Sequence, residues 1–330
     1  MRKYENLVSI ICITYNHEPY LRRALDGILM QDVNFPLQII IAEDCSTDNS
    51  RSIINEYCER YPGVFTPIFR DHNVGARKNV SEAKRMATGK YLIYLETDDC
   101  WTDRNKLQAQ VDWLENHPET MAVSHRCRMI DKNDKPLNLV YPQIEEGYYS
   151  WRDYLKDIMP GQTASLLMRN YYVDQLFDYS LTDNPNNAKG PGDRRTYYQL
   201  KAHGEIYCID KCMSDYRFVQ NGGSSFTANN ISSIEDDIKY YRDFVNYSKT
   251  QNISSEAKFV AEALYMRAVW IAFLHKQKNI VNLKILLAEY KKCDYGFKDT
   301  CYVAHFYFRR IFLRGNYYYK KIRWIKYENR

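Results

Sequence analysis

The chain of 330 residues lacks most of the features that identify a protein at a glance. It has no window of 18 uninterrupted apolar residues, so no membrane span is expected. No signal-peptide apolar region precedes the first strand pattern, and a cytoplasmic location is the expectation. The nine cysteines are odd in number and scattered. Cys12 sits in a strand pattern and Cys58 in a helical one, which suits reduced thiols better than a disulfide framework. Cys208 and Cys212 have no second cysteine or histidine pair at zinc spacing. No Gly-x-Gly-x-x-Gly follows the first strand and no Gly-x-x-x-x-Gly-Lys-Ser/Thr occurs, which argues against an ordinary dinucleotide site and against a P-loop. Excess positive charge is missing from most of the chain. Residues 301–330 hold eight Lys or Arg and one acid, a net of +7 against +5 for the whole, so the first 300 residues carry −2. With basicity confined to the tail and no recognition motif, nucleic acid is not an expected partner.

What is present reads as a globular protein, 45% hydrophobic and 26% charged, with 30 tyrosines. Tyrosine joins an apolar ring to a polar tip, which suits surfaces that grip sugars or lie at interfaces. Residues 7–13 form an apolar, β-branched strand, followed by the loop Thr14-Tyr15-Asn16-His17 and a helix with Pro19 in its first turn. A second buried strand at 37–42 ends in the polar run from Glu43 and Asp44, and a helix follows at about 50–60. A third strand at 64–69, a helix at 76–86 and a fourth strand at 91–95 complete a β-α-β-α-β-α-β series. That alternation predicts an α/β fold with a Rossmann-like, mostly parallel central sheet flanked by helices.

In such a sheet ligands sit outside the carboxyl ends of the strands. Three polar clusters therefore meet at one edge: Thr14-Tyr15-Asn16, Glu43-Asp44 and Glu96-Thr97-Asp98-Asp99. Three carboxylates so close repel one another and call for a counter-charge. A hard divalent cation supplies it, because Mg²⁺ takes one or two carboxylates and fills its other positions with water and phosphate oxygen. The plainer alternative is a solvated acidic loop that caps a helix from about Asp103.

Further on, the sequence predicts a helix at 103–116, a strand at 121–130, a loop or hairpin at 131–146, a helix at 148–158 and a strand at 162–168. A turn-rich, mobile segment at 182–192 precedes Asp193 at the head of a helix, then a strand at 205–209 and a flexible glycine loop at 221–225. From about 231 the pattern becomes helical. Ile234, Ile238, Tyr241 and Val245 share one face, and Phe259, Ala263, Met266, Trp270 and Phe273 form a second stripe. The expected organisation is a catalytic domain over 1–226 and a helical region over 227–330.

The ordered set Val8 to Asn16, Glu43-Asp44 through Ser50, Asn73-Val74-Gly75-Ala76-Arg77-Lys78-Asn79, Glu96 to Trp101, Gly192-Asp193 and Tyr216-Arg217 resembles the family 2 glycosyltransferases. The resemblance covers about residues 5–226. It implies a GT-A fold and an inverting enzyme using a nucleotide-sugar donor. Carried over residue by residue, it places Thr14, Tyr15 and Asn16 at the nucleotide. Asp44 would accept a hydrogen bond from a uracil imide, and Arg77 or Lys78 would lie near the diphosphate. The usual metal motif is Asp-x-Asp. Glu96 stands at its first position and is assigned to ribose or metal, with Asp98 the first choice for Mn²⁺ or Mg²⁺ and Asp99 in support. Asp193 falls where the family keeps its general base, which would take the proton of an acceptor hydroxyl; the plainer role is a helix cap. Tyr216 and Arg217 would brace the diphosphate as the following loop closes. Arg194 and Arg195 are either surface charges or contacts to an anionic acceptor. His17, His72, His125 and His203 are expected to be structural.

The tail mixes aromatic and basic residues, which fits either an anionic membrane surface at the inner face of the cell membrane or a terminal helix packed on the domain. On the membrane reading, a glycan or lipid-linked acceptor follows. Two other classes remain in view: a sugar nucleotidyltransferase, which would carry a glycine-rich basic loop after the first strand, and a binding module with a decayed active site.

Overall fold

The computed structural model describes residues 7–142, 144, 146–218, 233–274 and 283–291. The chain divides into two compact units, one of residues 1–187 with 191–231 and one of 188–190 with 232–330. The expected boundary at 226, the glycine loop at 221–225 and the basic tail at 301–330 all lie outside the described residues.

The first unit is built on one sheet. Strands β1 (Val8–Thr14), β2 (Leu37–Glu43), β3 (Phe65–Phe69) and β4 (Tyr91–Glu96) alternate with helices α1 (Glu18–Leu29), α2 (Ser50–Arg60) and α3 (Ala76–Lys84). They lie in the order β3-β2-β1-β4 and pair in parallel. Val8, Ile10, Ile11 and Cys12 of β1 are all fully buried. A strand covered on both faces needs this unbroken apolar run, where a half-exposed strand would alternate. The register sets Thr14 opposite Glu43 and Ile13 opposite Glu96, so three polar strand ends reach one edge together.

Beyond β4 the sheet is mixed. Strands β5 (Cys100–Trp101), β6 (Thr120–Ile130), β7 (Pro136–Tyr141), β8 (Gly147–Tyr148), β9 (Leu167–Arg169) and β10 (Glu205–Arg217) complete it, with helices α4 (Lys106–Asn116), α5 (Trp151–Leu155), α6 (Tyr171–Asp174), α7 (Ser180–Asp183) and α8 (Gly192–His203). Short β9 lies antiparallel between β4 and β6, while β6 and β10 pair in parallel. The expected helix at 148–158 shrinks to α5, because Gly147 and Tyr148 pair with β10 and Ser150 caps the helix start. The expected strand at 162–168 is mostly a 3₁₀ turn, Thr163–Ser165, whose Ala164 N–H donates to the Gln162 side-chain oxygen. The strand expected at 205–209 runs on to Arg217. Irregular register between Ile209 and Ser214 absorbs the polar Asp210-Lys211 pair and carries Tyr216 and Arg217 to the acidic edge. Segment 131–146 does form a hairpin, with β7 antiparallel to β6. At 182–187 the chain is held by Asn187, whose side chain donates to the Ser180 and Leu181 carbonyls.

In the second unit, α9 (Ile234–Thr250) opens with a reciprocal cap between Ser233 and Asp236, which satisfies two orphan donors. It is followed by α10 (Ser255–Leu274) and α11 (Leu283–Tyr290). Helix α10 buries more than the expected stripe. Val260, Ala261, Leu264 and Val269 are buried with Ala263 and Met266, whereas Phe259, Trp270 and Phe273 are part-exposed. No helix among the described residues is long and apolar enough to cross a membrane.

Candidate active site

The acidic turn between β4 and β5 is bolted to β1 through Thr97. Its N–H and hydroxyl both donate to the Ile13 carbonyl at 3.1 Å, and the hydroxyl also meets Thr14 Oγ1 at 3.0 Å and His17 Nδ1 at 2.9 Å. His17 is thus a structural link, and burial lowers its pKa from the ordinary value. The three carboxylates differ sharply. Asp99 is buried, and its two oxygens accept the Arg217 N–H at 2.7 Å and Gln162 Nε2 at 2.6 Å. Glu96 is part-buried and receives a longer bond from the same amide, 3.3 Å. The Asp98 carboxylate accepts no hydrogen bond among the described residues.

Burial, then the Asp98 and Asp193 charges, push the Glu96 carboxyl up to about 8. Burial, Asp98 and Glu96 likewise hold Asp99 well above the carboxylate range, against a smaller opposing pull from Arg217. A cation beside these acids would favour their charged forms. The donor set is all oxygen, which suits Mn²⁺ or Mg²⁺. Among the described residues no three His, Cys, Asp or Glu side chains form a complete metal cage, so ligands from elsewhere would have to complete such a site.

The loops after β1 and β2 are clipped to each other. Asn16, at a φ of 55°, donates its N–H to Ser46 Oγ at 2.9 Å, and its side-chain oxygen accepts the Thr47 N–H at 2.8 Å. Asp44 is buried, and its oxygens accept the N–H groups of Val74 at 2.8 Å and Gly75 at 2.9 Å. Gly75 has a φ of 83°, a conformation that glycine adopts without penalty. Tyr15 is half-exposed between these loops and makes no hydrogen bond or ring contact among the described residues. Arg77, on the first turn of α3, donates to the Asn184 carbonyl at 2.5 Å, and Lys78 lies 4.0 Å from Glu82 on its own helix.

Asp193 sits on the first turn of α8. It is open to solvent, yet protein mass around it raises its carboxyl, while the Arg194 N–H at 2.7 Å pulls the other way. Its charge acts on Glu96, Tyr141 and Tyr197, so the acid on α8 lies within electrostatic reach of the acidic turn. Arg194 and Arg195 are buried, neither surface charges nor open to an acceptor. Arg194 pairs with Asp157 at 2.5 Å and packs over Tyr154, and Arg195 donates to the Leu181 carbonyl at 3.1 Å. Together they anchor the helix that carries Asp193.

Arg217 is buried with every side-chain nitrogen engaged. Nε donates to the Asp98 carbonyl at 2.8 Å, Nη1 to the Asp131 carbonyl at 2.7 Å and Nη2 to Asp134 at 2.5 Å, with Tyr20 stacked 3.8 Å from the guanidinium carbon. This arrangement turns the guanidinium toward the acidic turn and the hairpin. Tyr216 packs beside Tyr141 at 6.0 Å between ring centres, and burial, then the Asp99 and Glu96 charges, raise its phenol. Gln162 is a site residue that the sequence expectations left out, and Thr97 entered them only as a member of the Glu96–Asp99 cluster, with no role of its own. The only hint for Gln162 was a polar residue directly after Pro160-Gly161 at the start of an apolar stretch.

Fold and site together define an α/β protein whose parallel strands end in an acidic turn, with a further carboxylate, Asp193, at the head of α8. The profile of glycosyl transferase family 2 matches residues 9–174, and the chain belongs to this family. It is 38% identical over 214 residues to the uncharacterised protein Rv1520 of Mycobacterium tuberculosis, a match covering 64% of this chain and 58% of that one. The matched region thus spans less than two thirds of that relative. It is 26% identical to the putative teichuronic acid biosynthesis glycosyltransferase TuaG of Bacillus subtilis, over 68% of this chain and 84% of the relative. Among solved structures it resembles S. aureus TarS 1-349 in complex with UDP, with a TM-score of 0.57, 15% identity and coverage of 84% and 76%. It also resembles the mannosyltransferase PcManGT of Pyrobaculum calidifontis in complex with GDP-Man and Mn²⁺, with a TM-score of 0.55, 18% identity and coverage of 92% and 84%. At these identities the likeness is one of fold, and that fold is GT-A.

Proposed function

We propose that the protein is an inverting glycosyltransferase that moves a sugar from a nucleoside-diphosphate donor, with uridine diphosphate favoured, to a hydroxyl of a glycan or lipid-linked acceptor. The observation that carries this reading is the acidic turn with Glu96 and Asp98 at the carboxyl end of β4, within reach of the charge of Asp193 on α8. One side can hold a charged donor and the other can take a proton. Thr14, Tyr15, Asn16 and Asp44 would line the nucleoside, and Glu96 the ribose or cation. Arg77 and Lys78 begin the helix nearest that loop and would lie toward the diphosphate. A bound Mn²⁺ or Mg²⁺, held first by Asp98, would neutralise charge growing on the leaving diphosphate.

The remaining chemistry belongs to the chain. Asp193 accepts the acceptor's hydroxyl proton, and its raised pKa makes it a better base than an ordinary carboxylate. The oxygen forms its bond to the anomeric carbon as the bond to the diphosphate oxygen breaks, and the nucleoside diphosphate leaves with the electron pair. Attack from the face opposite the leaving group inverts that centre. The name of TuaG and the UDP-bound TarS structure favour a UDP donor and a surface-polysaccharide acceptor; the GDP-Man complex of PcManGT marks the competing nucleotide.

Turnover of UDP-sugars with Mn²⁺, followed by release of UDP, tests the proposal. Asp193→Asn should lower turnover by about 10²–10⁴ while UDP binding persists, and the product should have the inverted anomeric configuration by NMR. Unchanged turnover in that variant would remove Asp193 from the chemistry.

A further inference from the structure

Resting on this donor-site reading, we infer that Gln162 and Asp99 form a positioning pair that holds the acidic turn in register with α8, so that Asp98 and Glu96 are the carboxylates presented to a nucleoside diphosphate and its cation. The orientation of the Gln162 amide is fixed. Its oxygen accepts the Ala164 N–H at 2.7 Å, which leaves the NH₂ group facing the acids, at 2.6 Å from Asp99 and 3.3 Å from Glu96. With the Arg217 N–H on the other Asp99 oxygen, Asp99 is held from both ends. Such a carboxylate serves as a post and not as a free ligand.

The turn that carries Gln162 is itself pinned from several sides. The Pro160 carbonyl accepts Ser124 Oγ at 2.6 Å, the Ala164 carbonyl accepts the Trp101 indole N–H at 2.9 Å, and the Gly161 carbonyl accepts the Tyr197 hydroxyl at 2.8 Å. A Cβ at Gly161 would lie 2.3 Å from Ser165 Oγ and 3.0 Å from Ser124 Cβ, so the turn has no slack. Tyr197 stands four residues after Asp193 on α8, one helical turn along the same face. Tyr197, Gly161 and Gln162 therefore tie α8, the helix that carries Asp193, to Asp99 of the acidic turn. A neutral donor is well suited to this place. It satisfies the buried carboxylates without supplying the positive charge that a lysine would set against a divalent cation.

The test uses the full chain with Gln162→Leu, Asp99→Asn and the double variant. Binding of UDP is titrated with and without Mn²⁺, and thermal unfolding is followed without metal. The leucine leaves an Asp99 oxygen unpaired. The asparagine sets amide against amide, and in the double variant the facing donor is gone. Each single change should weaken Mn²⁺-dependent UDP binding by about tenfold or more, with metal-free UDP binding shifted by less than about twofold. The double variant should bind Mn²⁺ and UDP better than Gln162→Leu alone, a rescue that loss of packing would not produce. Unaltered metal dependence in a folded Gln162→Leu protein would overturn the inference, as would single losses that simply multiply in the double variant. If the unaltered protein binds no nucleotide, the donor reading fails, and the unfolding midpoints still decide the pair. Non-additive shifts support it and additive shifts overturn it.

Discussion

Glu96 holds its proton to about 8, where a free glutamate releases it near 4.5. Between those values the folded protein binds more protons than the unfolded chain, so metal-free stability should fall as pH rises across that window. Glu96→Gln removes this proton and should make the decline shallower, with Asp99 supplying what remains. Unfolding midpoints from pH 5 to 8 in the presence of a chelator check this, and identical slopes for the two proteins would contradict it. At this scale much of the site was legible, because chemistry chooses residue types. Acids at a strand end and an acid heading a helix after Gly192 stand out in the sequence. Residues that act by holding others did not. The partners of Arg217, at Asp98, Asp131 and Asp134, come from distant points in the chain and leave no local signal. Gln162 carries no charge and sits where the apolar pattern argues for a strand. Arg194 and Arg195 look like surface charges, since nothing local announces Asp157 or the Leu181 carbonyl.

Among the elements, α1 approaches β5 closely at Gly27. A Cβ added at Gly27 would lie 2.8 Å from the Trp101 carbonyl oxygen and 3.1 Å from its nitrogen. Backbone atoms on a strand that closes the acidic turn have little room to yield. Gly27→Ala should cost about 1–3 kcal/mol of stability, read by urea unfolding, and should weaken metal-dependent nucleotide binding through displacement of the turn. Wild-type stability in that variant would show the approach to be looser than described. Long apolar elements were read well from sequence: α2 spans Ser50–Arg60 as its pattern required, and β1, β2 and β4 differ from expectation by one or two residues. Their burial on two faces leaves a strong pattern. Short elements were read poorly, because their form is set by partners. The Gln162 side chain makes a 3₁₀ turn of the following residues, and pairing of Gly147-Tyr148 with β10 cuts short the helix at α5.

The chain divides into a sheet unit and a helical unit, and its charge is skewed toward residues 301–330. With each Lys or Arg near an anionic surface contributing about 1 kcal/mol, exchanging Lys320, Lys321, Arg323 and Lys326 for glutamine should lower partitioning onto anionic vesicles by on the order of 10³. Co-sedimentation of the full chain at low salt measures this. Equal sedimentation of both forms, or none by the unaltered protein, would separate the tail from any membrane role. The doubly wound pattern of the first four strands was legible because βαβ units announce themselves by alternation. The mixed second half was not, since β9 is three residues long and takes its direction from β4 and β6.

The central claim is a donor site completed by a divalent cation at the acidic turn. Calorimetric titration with UDP and GDP, each with and without Mn²⁺, repeated on Asp98→Ala, tests it most directly. The account predicts UDP binding that strengthens with Mn²⁺, exceeds that of GDP and loses its metal dependence in the variant. Metal-dependent GDP binding in preference to UDP would contradict the uridine assignment, and absence of binding by either nucleotide to the folded protein would contradict the donor site itself.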